Sequence, residues 1–447
     1  MIKLIISFNV VLFSCWTFFA NQSDKSKSVS EIPMCSPMQA EDINQWTGAT
    51  NFSQFKSAKA TPSFIPSGVF LTDDTKAYAM PFLSQTPKGE VMLSWTEKDE
   101  QGMTSFCLAF SQDKGKTFSE KKVIYSGNGI GNSRLMRAKV IAKHDGSLVA
   151  VFTNRADAPA AATAGTQQGG GGKGQGGRSS DLVYCVSKDN GATWTSPQSV
   201  DSDPTKGIVR GFFDVALMPN DEIAVVYLKD VANSTKHEER DLRLVLTKNG
   251  AFQPERVIDP VVCDCCNINL LVDVNGALNV FYRDNNDDIR DIAKMISKDN
   301  GATFSKPQIV YNDGWKINGC PHSGAVSSTH GKSALIAWYS GAEKESGIRL
   351  VTQEGKKLFV LNDPSVKNPS LMSSGQVSAM LWEQGNDKTQ LVFRKINGDK
   401  VSETLSVEGS ENATNSTGLV IGNQLLIAHE VKQDNKKNSL KIATMAL

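Results

Sequence analysis

Short runs of alternating apolar and polar residues recur along this chain, separated by turns rich in Gly, Asn and Asp. Period-two alternation bounded by turn residues predicts half-buried strands rather than helices. The stretch from Cys263 to His322 shows the unit most clearly. Alternating strands at 267–274 and 277–284 are followed by a third ending at 298 and a short fourth at 307–311, the pattern of an antiparallel meander. Similar units span 77–125, 137–200, 212–258, 325–361 and 370–406, and a three-stranded remainder spans 417–445. One such sheet cannot bury its apolar faces alone, so neighbouring units must stack and all of them are needed. A spare strand candidate at 68–72 precedes the first unit. It predicts that the two ends of the chain share the last sheet, which removes an exposed edge.

An octet punctuates three of the units. Ser111-Gln-Asp-Lys-Gly-Lys-Thr-Phe118, Ser187-Lys-Asp-Asn-Gly-Ala-Thr-Trp194 and Ser297-Lys-Asp-Asn-Gly-Ala-Thr-Phe304 share the pattern Ser-x-Asp-x-Gly-x-Thr-aromatic. A weaker copy stands at Thr247-Lys-Asn-Gly-Ala-Phe252 and a remnant at Thr352-Gln-Glu-Gly355. This is turn chemistry: the Asp carboxylate accepts N–H groups of its own turn and Gly supplies a positive φ. Each octet is expected between the third and fourth strands of its unit. The three octets resemble the Asp-box, or BNR, repeats of the sialidase superfamily. The resemblance implies an all-β fold, a β-propeller of four-stranded antiparallel blades. It implies six blades, whereas the strand count predicts seven. In that family the boxes staple outer strands together, so they identify the fold and say little about catalysis.

The chain ends carry a different message. Lys3 followed by the nearly all-apolar 4–20 is a targeting segment, and Leu12-Phe-Ser-Cys15 resembles a bacterial lipobox. Residues 1–20 are therefore expected to direct export, as a lipoprotein, as a cleaved leader or as an uncleaved anchor. The expected location is periplasmic or outer-membrane, with secretion as the lesser alternative. Residues 21–66 read as a linker and N-terminal extension, and 67–447 as a single propeller domain. The Ala- and Gly-rich insertion 156–178, with Gly169-Gly-Gly-Gly172, cannot bury a face and is expected to be a flexible surface loop. A net charge of +1, without any basic block, offers nucleic acid nothing to bind and leaves the N-terminal lipid or anchor as the membrane contact. A monomer is expected.

Candidate chemistry collects where the innermost strand of each unit begins, because those positions line one mouth of a propeller's channel. The resemblance implies three arginines that hold a carboxylate, a Tyr nucleophile paired with Glu, and an Asp acid/base, the known exception to the two-carboxylate scheme of glycosidases. The family's first arginine lies in an aromatic-Arg-Ile-Pro motif, and the matching segment here reads Tyr78-Ala79-Met80-Pro81. Ala79 cannot take its place. Arg137 and Arg210 are candidates for the rest of the clamp. Asp214 stands beside Arg210 in the third unit, Asp99 lies near the family's acid position, and Tyr339 is the candidate nucleophile. Arg283-Asp284 and Arg290-Asp291 read as a salt-bridged hairpin end.

The cysteines are more specific. Cys263, Cys265 and Cys266 fall within four residues, and Cys320 returns at the start of the next unit beside His322. Two readings stay open. A disulfide, Cys263–Cys320 or Cys266–Cys320, suits an exported chain, whereas adjacent Cys265 and Cys266 are poor partners for each other. Alternatively the thiolates, the His322 imidazole and the thioethers of Met80 and Met136 suit copper or zinc. Cys107 and Cys185, on third strands, read as small core residues. Three functions follow as expectations. The first is an exported Asp-box propeller that hydrolyses or binds a glycan or another small molecule, with the sialidase pattern incomplete. The second is a metal-binding or redox propeller, and the third a non-catalytic scaffold.

Overall fold

The computed structural model describes residues 65–66, 71, 73, 75–155, 180–205, 208–231, 240–433 and 436–447. The expected targeting segment, nearly all of the linker and the Gly-rich insertion lie outside these residues. Among the described residues there is no helix, and seven small antiparallel sheets form a seven-bladed β-propeller, as the strand count predicts. The seventh sheet has three strands from the C-terminus, Ala413–Ile421, Gln424–Gln433 and Lys436–Ala446. Leu71 pairs with Leu440 on the last of these, its N–H donating to the Leu440 carbonyl at 3.2 Å. The N-terminal side thus meets the edge that the C-terminal sheet would otherwise expose. Ile65–Pro66 pairs with Thr117–Phe118 of blade 1.

Each innermost strand touches the innermost strand of the next blade, from Ala77–Gln85 of blade 1 around to Ala413–Ile421 of blade 7 and back to blade 1. Second strands are buried on both faces and carry the fully buried Trp95, Trp338 and Trp382. Cys107 and Cys185 are fully buried among these apolar layers.

Four inner strands share a bulge near their start, between Ala79 and Phe82, Gly211 and Asp214, Lys367 and Ser370, and Thr414 and Thr417. The first bulged residue is left-handed each time: Met80, Phe212, Asn368 and Asn415 have φ of 51°, 52°, 53° and 54°. Aligning the remaining blades by strand register places Arg137, Asn267 and Gly324 at the same position. These seven residues ring the mouth of the channel. Gly324 is required there by close approach, since a Cβ would lie 1.9 Å from the Asn267 carbonyl oxygen.

The octets occupy the turns between third and fourth strands of blades 1, 2 and 4. In each, the Asp carboxylate accepts the Thr N–H four residues on at 2.8–2.9 Å and the Thr hydroxyl at 2.5 Å. The Ser hydroxyl accepts the Gly N–H at 2.8 Å. The weaker copy in blade 3 lacks the Asp. Its Asn249 N–H goes instead to Glu222 at 2.6 Å, a carboxylate lent by the preceding turn of the same sheet.

Candidate functional site at the channel mouth

Arg137 sits in the ring position of blade 2 and its guanidinium donates to three backbone carbonyls: Pro81 at 3.0 Å, Asn415 at 3.2 Å and Ser416 at 3.4 Å. It spans blades 2, 1 and 7. Around it stand two buried carboxylates at the ends of second strands. Glu383 accepts the Asn415 N–H and the Asn368 amide, each at 2.8 Å. Glu430 accepts the Met80 N–H at 2.7 Å, the Asn415 amide at 3.1 Å and the Asn438 amide at 3.0 Å. Burial pushes the Glu430 carboxyl up to about 7, against the pull of these donors and of Arg137. The carboxylates cap the left-handed bulges and join neighbouring blades. Sequence reading missed both. Their signal was a Glu inside an otherwise apolar run, Leu381-Trp-Glu383 and Ala428-His-Glu430.

The other predicted catalytic residues are placed in separate structural roles. Arg210, 1 % exposed, donates to Asp201 at 2.5 Å, to Asp181 at 3.3 Å and to the carbonyls of Asp203 and Thr205 at 2.9 and 3.0 Å. Asp214 is ion-paired with Lys139 and accepts the Leu270 N–H at 2.9 Å, joining blades 2, 3 and 4. Tyr339 ends the second strand of blade 5, its hydroxyl 3.3 Å from the Ser346 hydroxyl and its ring edge-on to Trp315. Asp99 caps its own exposed turn through the Gln101 and Met103 N–H groups. The guanidinium donors of Arg137 and Arg210 are thus aimed into the protein framework, and no carboxylate clamp is assembled from them.

The cysteine cluster is assembled differently. Cys263 to Cys266 form the turn between the outer strand of blade 3, Arg256–Val262, and the inner strand of blade 4, Asn269–Val272. All three cysteines are buried and free. The Cys263 sulfur lies 3.5 Å from that of Cys266 and 3.9 Å from that of Cys265. The three sulfurs all lie within 4.8 Å of one another. The expected bridges Cys263–Cys320 and Cys266–Cys320 are therefore not made. The physical reason is that the turn folds its three thiols onto each other, so Cys263 and Cys266 meet a partner within the turn. It also brings Cys266 onto Cys263 and Cys265, from which the alternation of an extended strand would point it away. Cys320, whose sulfur lies 3.3 Å from Asp264 Oδ1, is not one of the free thiols. Its sulfur, that of Cys265 and a ring nitrogen of His322 also lie within 4.8 Å of one another, so the two blade starts do meet at one mouth.

Cys266 carries the unusual electrostatics. Burial raises a thiol, but at Cys266 the hydrogen bonds from Cys263 and Cys265, the positive Arg283 and the Ser323 N–H outweigh burial and hold it well below the ordinary thiol range. At Cys265 burial dominates and the thiol is raised. One sulfur of the three thus favours the thiolate. Arg283 and Arg290, expected at an exposed hairpin end, are instead buried, at 1 % and 0 % exposure. Arg134 from blade 2 reaches across to the His322 carbonyl at 3.4 Å.

No protein-family model matches the chain, and no curated protein matches it by sequence. The solved structures similar to it include a Dyadobacter fermentans protein of unknown function, at 11 % identity and TM-score 0.50, covering 87 % of this chain and all of that one. They also include a mutant Trypanosoma rangeli sialidase with trans-sialidase activity, at 13 % identity and TM-score 0.46, covering 87 % of this chain and 59 % of the sialidase. A third is the Penicillium chrysogenum α-L-arabinanase, at 14 % identity and TM-score 0.43, covering 86 % and 96 %. At such identities the likeness concerns the fold. The class defined by fold and mouth together is a seven-bladed β-propeller with a free-thiol cluster at one end of its channel.

Proposed function

We propose that the protein binds a soft or borderline transition-metal ion, copper(I) or zinc, on Cys263, Cys265 and Cys266. The observation that carries this is three buried free thiols gathered on one turn, with sulfur separations of 3.5 and 3.9 Å. Metal–sulfur bonds of about 2.3 Å put ligand sulfurs roughly 3.8 Å apart around a tetrahedral ion. The turn therefore needs only small adjustments to accept one. Thiolates select soft ions over magnesium or calcium. In an exported chain, as the leader suggests, a bound ion would also shield the thiols from oxidation.

The test is competition between the protein and a chromophoric chelator, for copper(I) and for zinc(II), with reduced protein and free thiols counted before and after. One equivalent should bind, thiol reactivity should fall with it, and Cys263→Ser or Cys266→Ser should weaken binding by more than the roughly 10–100-fold that losing a group supporting a ligand costs. A folded wild-type protein with three reactive thiols and no affinity for either ion would sink the reading.

A second reading, glycan binding without hydrolysis, is favoured by a separate observation. Three amide residues, Asn267, Asn368 and Asn415, stand at equivalent ring positions around the mouth; each commits one amide N–H to the framework, to the Ala325 carbonyl, Glu383 and Glu430, and carries a second N–H that could meet a ligand hydroxyl. Under this reading a fluorogenic sialoside should release no sialic acid, because the clamp arginines are committed to the framework. Robust release, abolished by Tyr339→Phe, would restore the sialidase expectation.

A further inference from the structure

Beside the thiol cluster lies a buried cation, Arg283, that donates to no carboxylate among the described residues. Resting on the metal-site reading above, we infer that Arg283 is a specificity residue that favours a monovalent ion, copper(I), over a divalent one such as zinc. Arg283 is 1 % exposed. Among the described residues its guanidinium donates only to backbone carbonyls: Ser323 through two N–H groups at 2.9 and 2.7 Å, Tyr339 at 2.9 Å, and Arg290. Its face lies over the Trp315 ring, 5.0 Å from the centroid. Four neutral contacts and an aromatic face hold the charge in place without neutralising it. An unneutralised charge at such depth is costly, and a negative charge on its neighbours offsets that cost.

The neighbours in question are the cysteines. The Arg283 carbonyl accepts the Cys263 N–H at 3.2 Å. Ser323, whose carbonyl Arg283 grips, donates its own N–H to the Cys266 sulfur. Arg283 therefore brackets the cluster through its main chain on one side and through Ser323 on the other. Three thiolates around a monovalent ion carry a net charge of −2, and around a divalent ion −1. The attraction to a fixed positive charge scales with that net charge, so Arg283 stabilises the monovalent complex by the larger amount. The charges of Arg290 and Asp264 are present with either ion, so a change at Arg283 alone isolates its own share.

The experiment measures copper(I) and zinc(II) affinities by chelator competition for full-length wild type, Arg283→Gln and Arg283→Lys. Arg283→Gln should lower the copper(I)-to-zinc(II) affinity ratio on the order of tenfold, and Arg283→Lys, which keeps the charge, should largely preserve it. Because Arg283 also staples blade 4 to blade 5, the Gln variant could fail to fold. Ser323→Asp is then the second arm. It places a carboxylate beside Arg283 at a half-buried position and should lower the ratio in the same direction. Equal losses for both ions would show that Arg283 is only a staple, and an unchanged ratio in Arg283→Gln or Ser323→Asp would equally overturn the inference. A wild-type protein that binds neither ion would instead bring down the metal site itself, a distinct result.

Discussion

Arg137 and Arg283 do the same mechanical work on opposite parts of the channel mouth. Each sends its guanidinium across a blade boundary onto backbone carbonyls, three residues' worth in both cases. Their electrostatic company differs. Arg137 lies among Glu430 and Glu383, whose carboxylates also cap the bulges of blades 1 and 7. Among the described residues Arg283 donates to no carboxylate, and it has a tryptophan on one face and the free-thiol turn beside it. On one side of the mouth carboxylates surround the arginine; on the other, among the described residues, Arg283 donates to none and three sulfurs lie beside it. The lesson is that a buried charge marks a ligand site by what fails to neutralise it, since a satisfied arginine is only a staple.

The comparison can be strained first at Glu430. Its carboxyl is raised to about 7 in the folded protein from an ordinary value near 4.5. A raised folded value means stability that is fully present below the unfolded value and is lost as pH rises through the folded one. Between pH 4.5 and 7 the wild type should therefore lose on the order of 3 kcal/mol that Glu430→Gln does not lose. Chemical denaturation at stepped pH reads this directly, and parallel curves would mean that the carboxylate is as well neutralised as an exposed one. Arg137→Met should have a smaller effect, costing about 1–3 kcal/mol for three carbonyls left short of donors, without changing metal affinity. If it altered ion binding as strongly as a cysteine change, the division of the mouth into these two sides would be wrong.

The smallest effect is expected away from the mouth. Asp299→Ala removes the acceptor of its turn, yet the carboxylate is solvent-exposed, so the melting temperature should fall only slightly. Hydrogen bonds from Thr303 and Ser297 hold the Asp299 carboxyl down at about 2. For a depressed value the sign reverses: its contribution is present above the ordinary carboxylate range and is lost as pH falls through about 2. The difference between wild type and Asp299→Ala should thus vanish in strong acid and be constant near neutrality. A difference that grew on acidification would contradict the turn role.

What the sequence alone determined is what depends on local pattern. Strand alternation and its recurrence yielded seven sheets rather than the six implied by family resemblance. The octets yielded their place between third and fourth strands, because a turn's hydrogen bonds close within eight residues, as those of Asp113, Asp189 and Asp299 do. Repeat alignment also brought Cys263–Cys266 and Cys320–His322 to one mouth, since equivalent positions in a ring must converge. The tertiary structure decided everything that rests on partners from other blades. Arg137 and Arg210 look like a carboxylate clamp in the sequence and are spent on carbonyls and aspartates of neighbouring segments. Arg283, which reads as half of a surface salt bridge with Asp284, is buried against Trp315 and Ser323. The three cysteines turn inward onto each other and make no bridge to Cys320, although Cys265 lies within 4.8 Å of its sulfur. Side-chain alternation predicts which way a strand residue points, but not the fold of a turn, nor whether the charge it meets 40 or 300 residues away is neutralised.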